Sequence, residues 1–162
     1  MKKVGIVMGS DSDLPVIQKA TNLLRELEIP FEVHVYSAHR TPIQAHDFAA
    51  SAREKGFGVL IAAAGMAAHL AGSVAANTTL PVIGIPCKGP VLDGLDALLS
   101  TVQMPSGIPV ATVGVNNGAN AALLAAQILA VEDAELADRL AAKRAKDTEA
   151  VLQKDAGIME RL

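Results

Sequence analysis

Val4-Gly-Ile-Val-Met8 runs into Gly9-Ser-Asp-Ser-Asp13 and then into a stretch with apolar residues at Leu14, Ile17, Leu23, Leu24 and Leu27. A short continuous apolar run is the mark of a strand covered on both faces, and the spacing that follows is helical. The helix is expected from Leu14 to Glu28, with Pro15 tolerated in its first turn. Strand, small polar loop and helix together make the unit from which parallel sheets are wound. The first strand is expected at the centre of the sheet.

The unit then recurs. Pro30 ends the helix, and Phe31 to Tyr36 reads as a second strand, with Val33 and Val35 as its β-branched residues. Ile43 to Glu54 is the next helix; Thr41-Pro42 supplies a side-chain oxygen for its cap and a proline for its first turn, and Lys55-Gly56 closes it. Val59 to Ala63 is a third buried strand, leading through Ala64-Gly-Met-Ala-Ala-His-Leu70 into a short Ala-rich helix that ends near Ala76. Pro81 to Pro86, Val91 to Val102 and Pro109 to Val115 follow as strand, helix and strand. After Asn116-Asn-Gly118, the segment Ala119 to Val131 is apolar almost all round, as a buried helix would be. Strands alternating with helices imply a three-layer, doubly wound α/β fold on a mainly parallel, five-stranded sheet.

From Glu132 to Lys154 the composition turns charged, with a thin apolar stripe of Leu136, Leu140, Val151 and Leu152. Glu132, Asp133 and Glu135 at its start suit the positive end of a helix dipole. The expected organisation is an α/β catalytic domain over residues 1–131 and an extra C-terminal helix over 132–162. So narrow a stripe is expected to pack on a neighbouring subunit; a solvated helix lying on its own domain fits the same pattern.

A chain of 162 residues can bury one core without disulfides or metals. Hydrophobic residues make up 51% and aromatic ones only 2%, so that core must be built from Ala, Val, Ile and Leu. The net charge of −3 and the lack of a basic stripe argue against a nucleic-acid partner. Cys87 is the single cysteine, so an intramolecular disulfide is impossible, and the cytoplasm is the expected location. The run Val4 to Met8 is too short for a signal peptide, and no apolar stretch approaches a membrane span. The mean hydropathy of +0.33 points to burial on both sheet faces and between subunits of a homo-oligomer.

In a doubly wound sheet, ligands bind outside the carboxyl ends of the strands. Three loops stand at that edge. In Gly9 to Asp13, backbone N–H groups with Ser10 and Ser12 suit a monophosphate, and Asp13 suits sugar hydroxyls; alternatively Asp11, Ser12 or Asp13 is simply a helix cap. In Ser37-Ala-His-Arg-Thr-Pro42, His39 offers an imidazole able to move a proton near neutral pH, and Arg40 a cation for phosphate or carboxylate; a polar turn with a solvated charge is the plainer reading. In Ala64 to His69, small residues let the backbone approach a flat ligand, and His69 taken alone reads as structural. His34 and His46 lack the spacing of metal ligands, no serine elbow is present, and Cys87 reads as a buried thiol. Proton transfer on a bound phosphorylated small molecule remains.

With these loops goes a set of motifs in fixed order: Met8-Gly-Ser-Asp-Ser-Asp13, Ser37-Ala-His-Arg-Thr-Pro42, Ala67-Ala-His-Leu70, Val102-Gln-Met-Pro-Ser-Gly-Ile-Pro109 and Asn120-Ala-Ala-Leu-Leu-Ala-Ala-Gln-Ile-Leu129. By them the chain closely resembles, over nearly its whole length, the class I N5-carboxyaminoimidazole ribonucleotide mutases of bacterial purine biosynthesis. The resemblance implies a flavodoxin-like fold and a reaction without metal or organic cofactor. In that reaction the carboxylate on an exocyclic nitrogen of a ribonucleotide moves to the neighbouring ring carbon, with CO2 released and recaptured. It implies His39 as general acid and base; Ser10, Asp13 and Arg40 on the ribose phosphate with Ser12 nearby; and Ser37, Ala38, Gly65, Ala67, His69 and Leu70 around the base and carboxylate. It also implies an octamer with exchanged C-terminal helices. Two positions depart from the family pattern, Met66 where glycine is usual and Ala71 where proline is usual.

The nearest alternative is the class II relative, which carboxylates aminoimidazole ribonucleotide directly. Arg40-Thr41 and Ala67-Ala-His69 resemble class I instead. A non-catalytic flavodoxin-like binding module is the distant alternative, weakened by the single Tyr36 and the lack of Trp for stacking on a flavin.

Overall fold

Residues 57–63 are buried without a break, and they form the middle of the sheet. The computed structural model describes all 162 residues. Its elements are β1 (Lys3–Met8), α1 (Leu14–Glu26), β2 (Phe31–Val35), α2 (Pro42–Ala50), β3 (Phe57–Gly65), α3 (Leu70–Ala76), β4 (Val82–Cys87), α4 (Leu95–Val102), β5 (Ala111–Thr112), α5 (Gly118–Ala130) and α6 (Ala134–Ala156). The strand order is β2-β1-β3-β4-β5 and every pairing is parallel. This is the doubly wound, flavodoxin-like α/β fold expected. The centre, however, belongs to β3: β1 lies one place toward the β2 edge. A short apolar run marks any strand covered on both faces, so it cannot distinguish the middle strand from its neighbour.

Alternation along the strands divides the core in two. Val4, Ile6, Met8, Val59, Ile61, Ile83 and Ile85 face α1 and α5, where Ala121, Ala122, Ala125 and Ala126 allow a close helix approach. Val7, Leu60, Ala62 and Val82 face the other way, against Phe48 of α2 and Leu70 and Val74 of α3. Each fully buried Val, Ile or Leu contributes roughly 1.5–3 kcal/mol, which is how a core nearly without aromatics suffices. Gly118, where α5 crosses α1, has no room for a side chain: a Cβ there would lie 2.1 Å from the Val16 carbonyl oxygen.

Three expectations are corrected in the structure. The helix predicted from Val91 begins at Leu95, because Asp93 (φ 58°) and Gly94 (φ 97°) are left-handed and cannot be helical. The fifth strand is regular only at Ala111–Thr112; beyond it, single bonds from Val113 N–H to Gly84 O and Asn116 N–H to Pro86 O keep the chain beside β4. The helix α5 is buried on one face only, and its Leu123, Leu124 and Ile128 are partly covered.

The terminal helix has two unlike halves. Asp133 caps it, accepting from Leu136 N–H at 3.0 Å, and Leu136 is fully buried in the main core. Arg139 Nε donates to Leu27 O at 3.0 Å, closing the end of α1. The core therefore continues past residue 131, the boundary expected from composition. From Arg144 onward every residue of the helix is exposed, Val151 and Leu152 included.

Candidate active site

The loops after β1, β2 and β3 meet at the carboxyl edge of the sheet around a cleft of about 640 Å³. It holds every site residue expected from the sequence: Ser10, Ser12 and Asp13 from the first loop; Ser37, Ala38, His39 and Arg40 from the second; Gly65, Ala67, His69 and Leu70 from the third. A larger groove of about 910 Å³ lies between α5 and α6, but it is lined mainly by aliphatic side chains and carries no imidazole. Size favours the groove; chemistry favours the cleft.

The second loop is built from its own hydroxyls. Ser37 Oγ accepts from the N–H groups of His39 and Arg40, each at 3.2 Å. Thr41 stands at the N-cap of α2, yet its hydroxyl makes no forward cap. It turns back instead, accepting from Ser37 N–H at 2.8 Å and donating to Ser37 O at 3.2 Å. The hydroxyl expected to start the helix thus closes the turn that carries His39. Ser37 is nearly buried and its oxygen is engaged within the loop, so it shapes the site from below.

Arg40 joins this loop to the first, its Nη2 donating to Gly9 O at 2.7 Å. In the first loop, Ser10 caps a single 3-10 turn over Asp11–Asp13, and Ser12 Oγ donates to Ser10 Oγ at 2.9 Å. Asp13 occupies the N-cap of α1 without a side-chain cap bond. Burial raises its carboxyl above the ordinary value of 3.8, only partly offset by hydrogen bonding from the Cys87 thiol and the backbone. Burial, with the Asp13 charge beside it, pushes the Cys87 thiol up to about 12. The cysteine is 2% exposed at the end of β4 and is a buried thiol rather than a nucleophile.

The third loop brings His69 to the first one's neighbour. His39 Nε2 and His69 Nδ1 are 2.7 Å apart, with the rings nearly perpendicular at 81°. Met66 has φ 56°, a left-handed backbone that glycine adopts without strain. Its side chain is exposed and turns toward Gly89 at the cleft's rim.

Sequence reading missed the loop after β4. Lys88, Gly89 and Pro90 form a fourth wall; Lys88 N–H donates to Asn116 Oδ1 at 2.9 Å, and its ammonium pairs with Asp93 at 3.0 Å. The signal was present, since Cys87-Lys-Gly-Pro90 also follows a strand at the same sheet edge. Gly9, Ala64 and Met66 complete the lining.

Against known proteins, a family model described as AIR carboxylase matches residues 3–150. The chain belongs to that family. It is 56% identical over 140 residues to an N5-carboxyaminoimidazole ribonucleotide mutase of Pyrococcus abyssi, covering 86% of this chain and 80% of the relative. It is 51% identical over 154 residues to the mutase of Thermotoga maritima, covering 95% and 90% respectively. It is also 53% identical to a phosphoribosylaminoimidazole carboxylase of Saccharomyces cerevisiae, of whose length it spans only 26%. Among solved structures, a Treponema denticola PurE superposes with TM-score 0.81 at 29% identity, covering 94% of this chain and 96% of that one.

Proposed function

We propose that this member of the AIR carboxylase family is a mutase of purine biosynthesis, converting N5-carboxyaminoimidazole ribonucleotide to 4-carboxy-5-aminoimidazole ribonucleotide. Two relatives bearing the mutase name match it over four fifths or more of their own length. The observation that carries the reading is His39 held at the junction of three loops, beside Arg40 and the Ser10-to-Asp13 turn.

The chemistry assigns each group a task. Arg40, Ser10 and Ser12 bind the phosphate, and Asp13 accepts from ribose hydroxyls, so the heterocycle lies toward the third loop. Gly65, Ala67 and Leu70 face the flat ring, and Ala38 lies beside it. His39 gives a proton to the exocyclic nitrogen as CO2 leaves, and removes one from the ring carbon after CO2 adds there. The reaction assigned needs no metal or organic cofactor.

Recapture of CO2 requires that water be kept out. His39, Arg40, Met66 and His69 are all exposed in the single chain, so a cover must come from elsewhere. We assign it to a homo-octamer, with the projecting half of α6 on a neighbouring subunit, and the assembly to the cytoplasm. No helix is long and apolar enough to cross a membrane, and the −3 charge without a basic stripe favours a small molecule over nucleic acid.

The test offers the purified protein N5-carboxyaminoimidazole ribonucleotide in one cuvette and aminoimidazole ribonucleotide with bicarbonate in another. The expected result is rapid formation of the 4-carboxy product from the first. Formation from the second alone would replace the mutase with a direct carboxylase.

A further inference from the structure

We propose that Met66 is the CO2-retaining residue of the cleft: its side chain closes the flank between the third loop and the loop after β4, so that CO2 freed from the substrate is recaptured rather than lost. The inference rests on the mutase reading above and gives a task to a residue which that reading leaves without one.

Four residues other than glycine have a left-handed backbone: Glu28, Met66, Asp93 and Asn116. Three of them have a local reason. Glu28 follows the end of α1, where its own N–H donates to Arg25 O and Ile29 N–H donates to Leu24 O, the ordinary left-handed close of a helix. Asp and Asn enter this conformation more readily than other side chains, and Asn116 is held there as it accepts from Lys88 N–H at 2.9 Å. Met66 has neither reason, since it directly follows β3 and ends no helix. Glycine would hold the same φ of 56° without steric cost, so the molecule bears strain at this position to carry a side chain.

That side chain does not serve the core. It is 57% exposed, whereas Leu70, the other long apolar side chain of the cleft lining, is 2% exposed. Met66 is thus the one long apolar side chain that the lining leaves open to a ligand. Backbone strain of this kind collects at functional sites.

The position suits retention of a small apolar molecule. Gly65 and Ala67, on either side of Met66 in the chain, are the residues assigned to the flat face of the ring. Across the cleft stands Gly89: a Cβ built there would lie 3.6 Å from Met66 Cγ and 4.0 Å from Met66 N, so a single carbon atom would fill the space between the two walls. Without the Met66 side chain that space would open by more than the size of CO2. An unbranched thioether adapts to an irregular gap, and it keeps water from the place where CO2 is held. A neighbouring subunit covers the mouth; Met66 closes this flank from within the chain.

The reaction gives such a residue its effect. The exocyclic N–C bond breaks with its electron pair left on nitrogen, which His39 protonates. The free CO2 then either adds to the ring carbon or escapes and leaves aminoimidazole ribonucleotide behind. Met66 sets the ratio of the two.

The test gives purified wild type, Met66→Gly and Met66→Leu the substrate with a 13C carboxylate, in buffer containing unlabelled bicarbonate and carbonic anhydrase. Mass spectrometry reads the label kept in the 4-carboxy product and the aminoimidazole ribonucleotide formed above an enzyme-free blank. Met66→Gly relieves the strained backbone, so its folding is not at risk. The fraction of label lost per turnover is expected to rise about tenfold in Met66→Gly, a factor of ten in escape over recapture, with matching release of aminoimidazole ribonucleotide. Met66→Leu, which keeps the apolar bulk, is expected to stay within about twofold of wild type. Equal retention by wild type and Met66→Gly overturns the proposal, as does leakage from Met66→Leu equal to that from Met66→Gly, or wild-type product without label. Each of these leaves the mutase reading in place; no conversion by wild type removes that reading, and the inference with it.

Discussion

His39 Nε2 lies 2.7 Å from His69 Nδ1, although thirty residues separate them in the chain. One ring is mounted on a turn closed by Ser37 and Thr41, the other at the start of α3. The imidazole of His39 is therefore held from two sides. Replacing His39 by Asn keeps the ring's approximate size and removes its proton chemistry. Turnover should fall by about 100- to 10,000-fold, with substrate affinity changed little. Stopped assays of the 4-carboxy product and calorimetric titration separate the two effects, and ordinary turnover would refute the role.

Arg40 bridges the first two loops through Gly9 O and points its guanidinium into the cleft they share. Arg40→Ala should raise KM by about 10- to 100-fold, the loss of one charged hydrogen-bonding group, with a much smaller effect on kcat. Arg40→Lys should recover only part, because an ammonium lacks the planar fork. An unchanged KM would move the phosphate to another wall.

Asp13 links the site to the pH dependence of stability. Its folded carboxyl titrates above the ordinary value of 3.8 because of burial. Below that value both folded and unfolded forms are protonated and no penalty exists. As pH rises through the folded value, ionising the half-buried carboxyl costs the native state. Asp13→Asn should therefore match wild type in stability below pH 3.8 and exceed it toward neutrality, while binding substrate less well. Urea melts across that range check the sign; a gap that narrowed with rising pH would contradict it.

Met66 sits at φ 56°, which costs a side-chain-bearing residue roughly 1–2 kcal/mol, against the 0.5–1 kcal/mol that glycine loses in chain entropy. Met66→Gly should stabilise the protein by about 0.5–1 kcal/mol in urea denaturation. A loss of stability would mean that the packing lost with the Met66 side chain outweighs the backbone strain.

Gly118 is fixed by backbone rather than by a flexible neighbour, since its missing Cβ would meet Val16 O at 2.1 Å. Gly118→Ala must push α5 away from α1 and should cost about 3 kcal/mol. A melting temperature equal to that of wild type would show that the two helices can separate without loss.

By itself, the sequence determined which residues are strands, which are helices and which loops carry polar chemistry. Apolar runs such as Val4 to Met8 and Val59 to Ala63 have no other stable use in water, and Gly, Pro and Ser mark their ends. Because parallel winding sends alternate loops to one sheet edge, the gathering of Ser10, His39 and His69 followed from the same pattern. Tertiary structure alone decided the rest. It set β3 rather than β1 at the centre, turned Thr41 back onto Ser37, stopped α4 short at Asp93 and Gly94, and drew Leu136 into the core. Each of these depends on what lies opposite a residue in space. Local pattern carries no such information, and for that reason the contact between the two imidazoles is visible only in the folded chain.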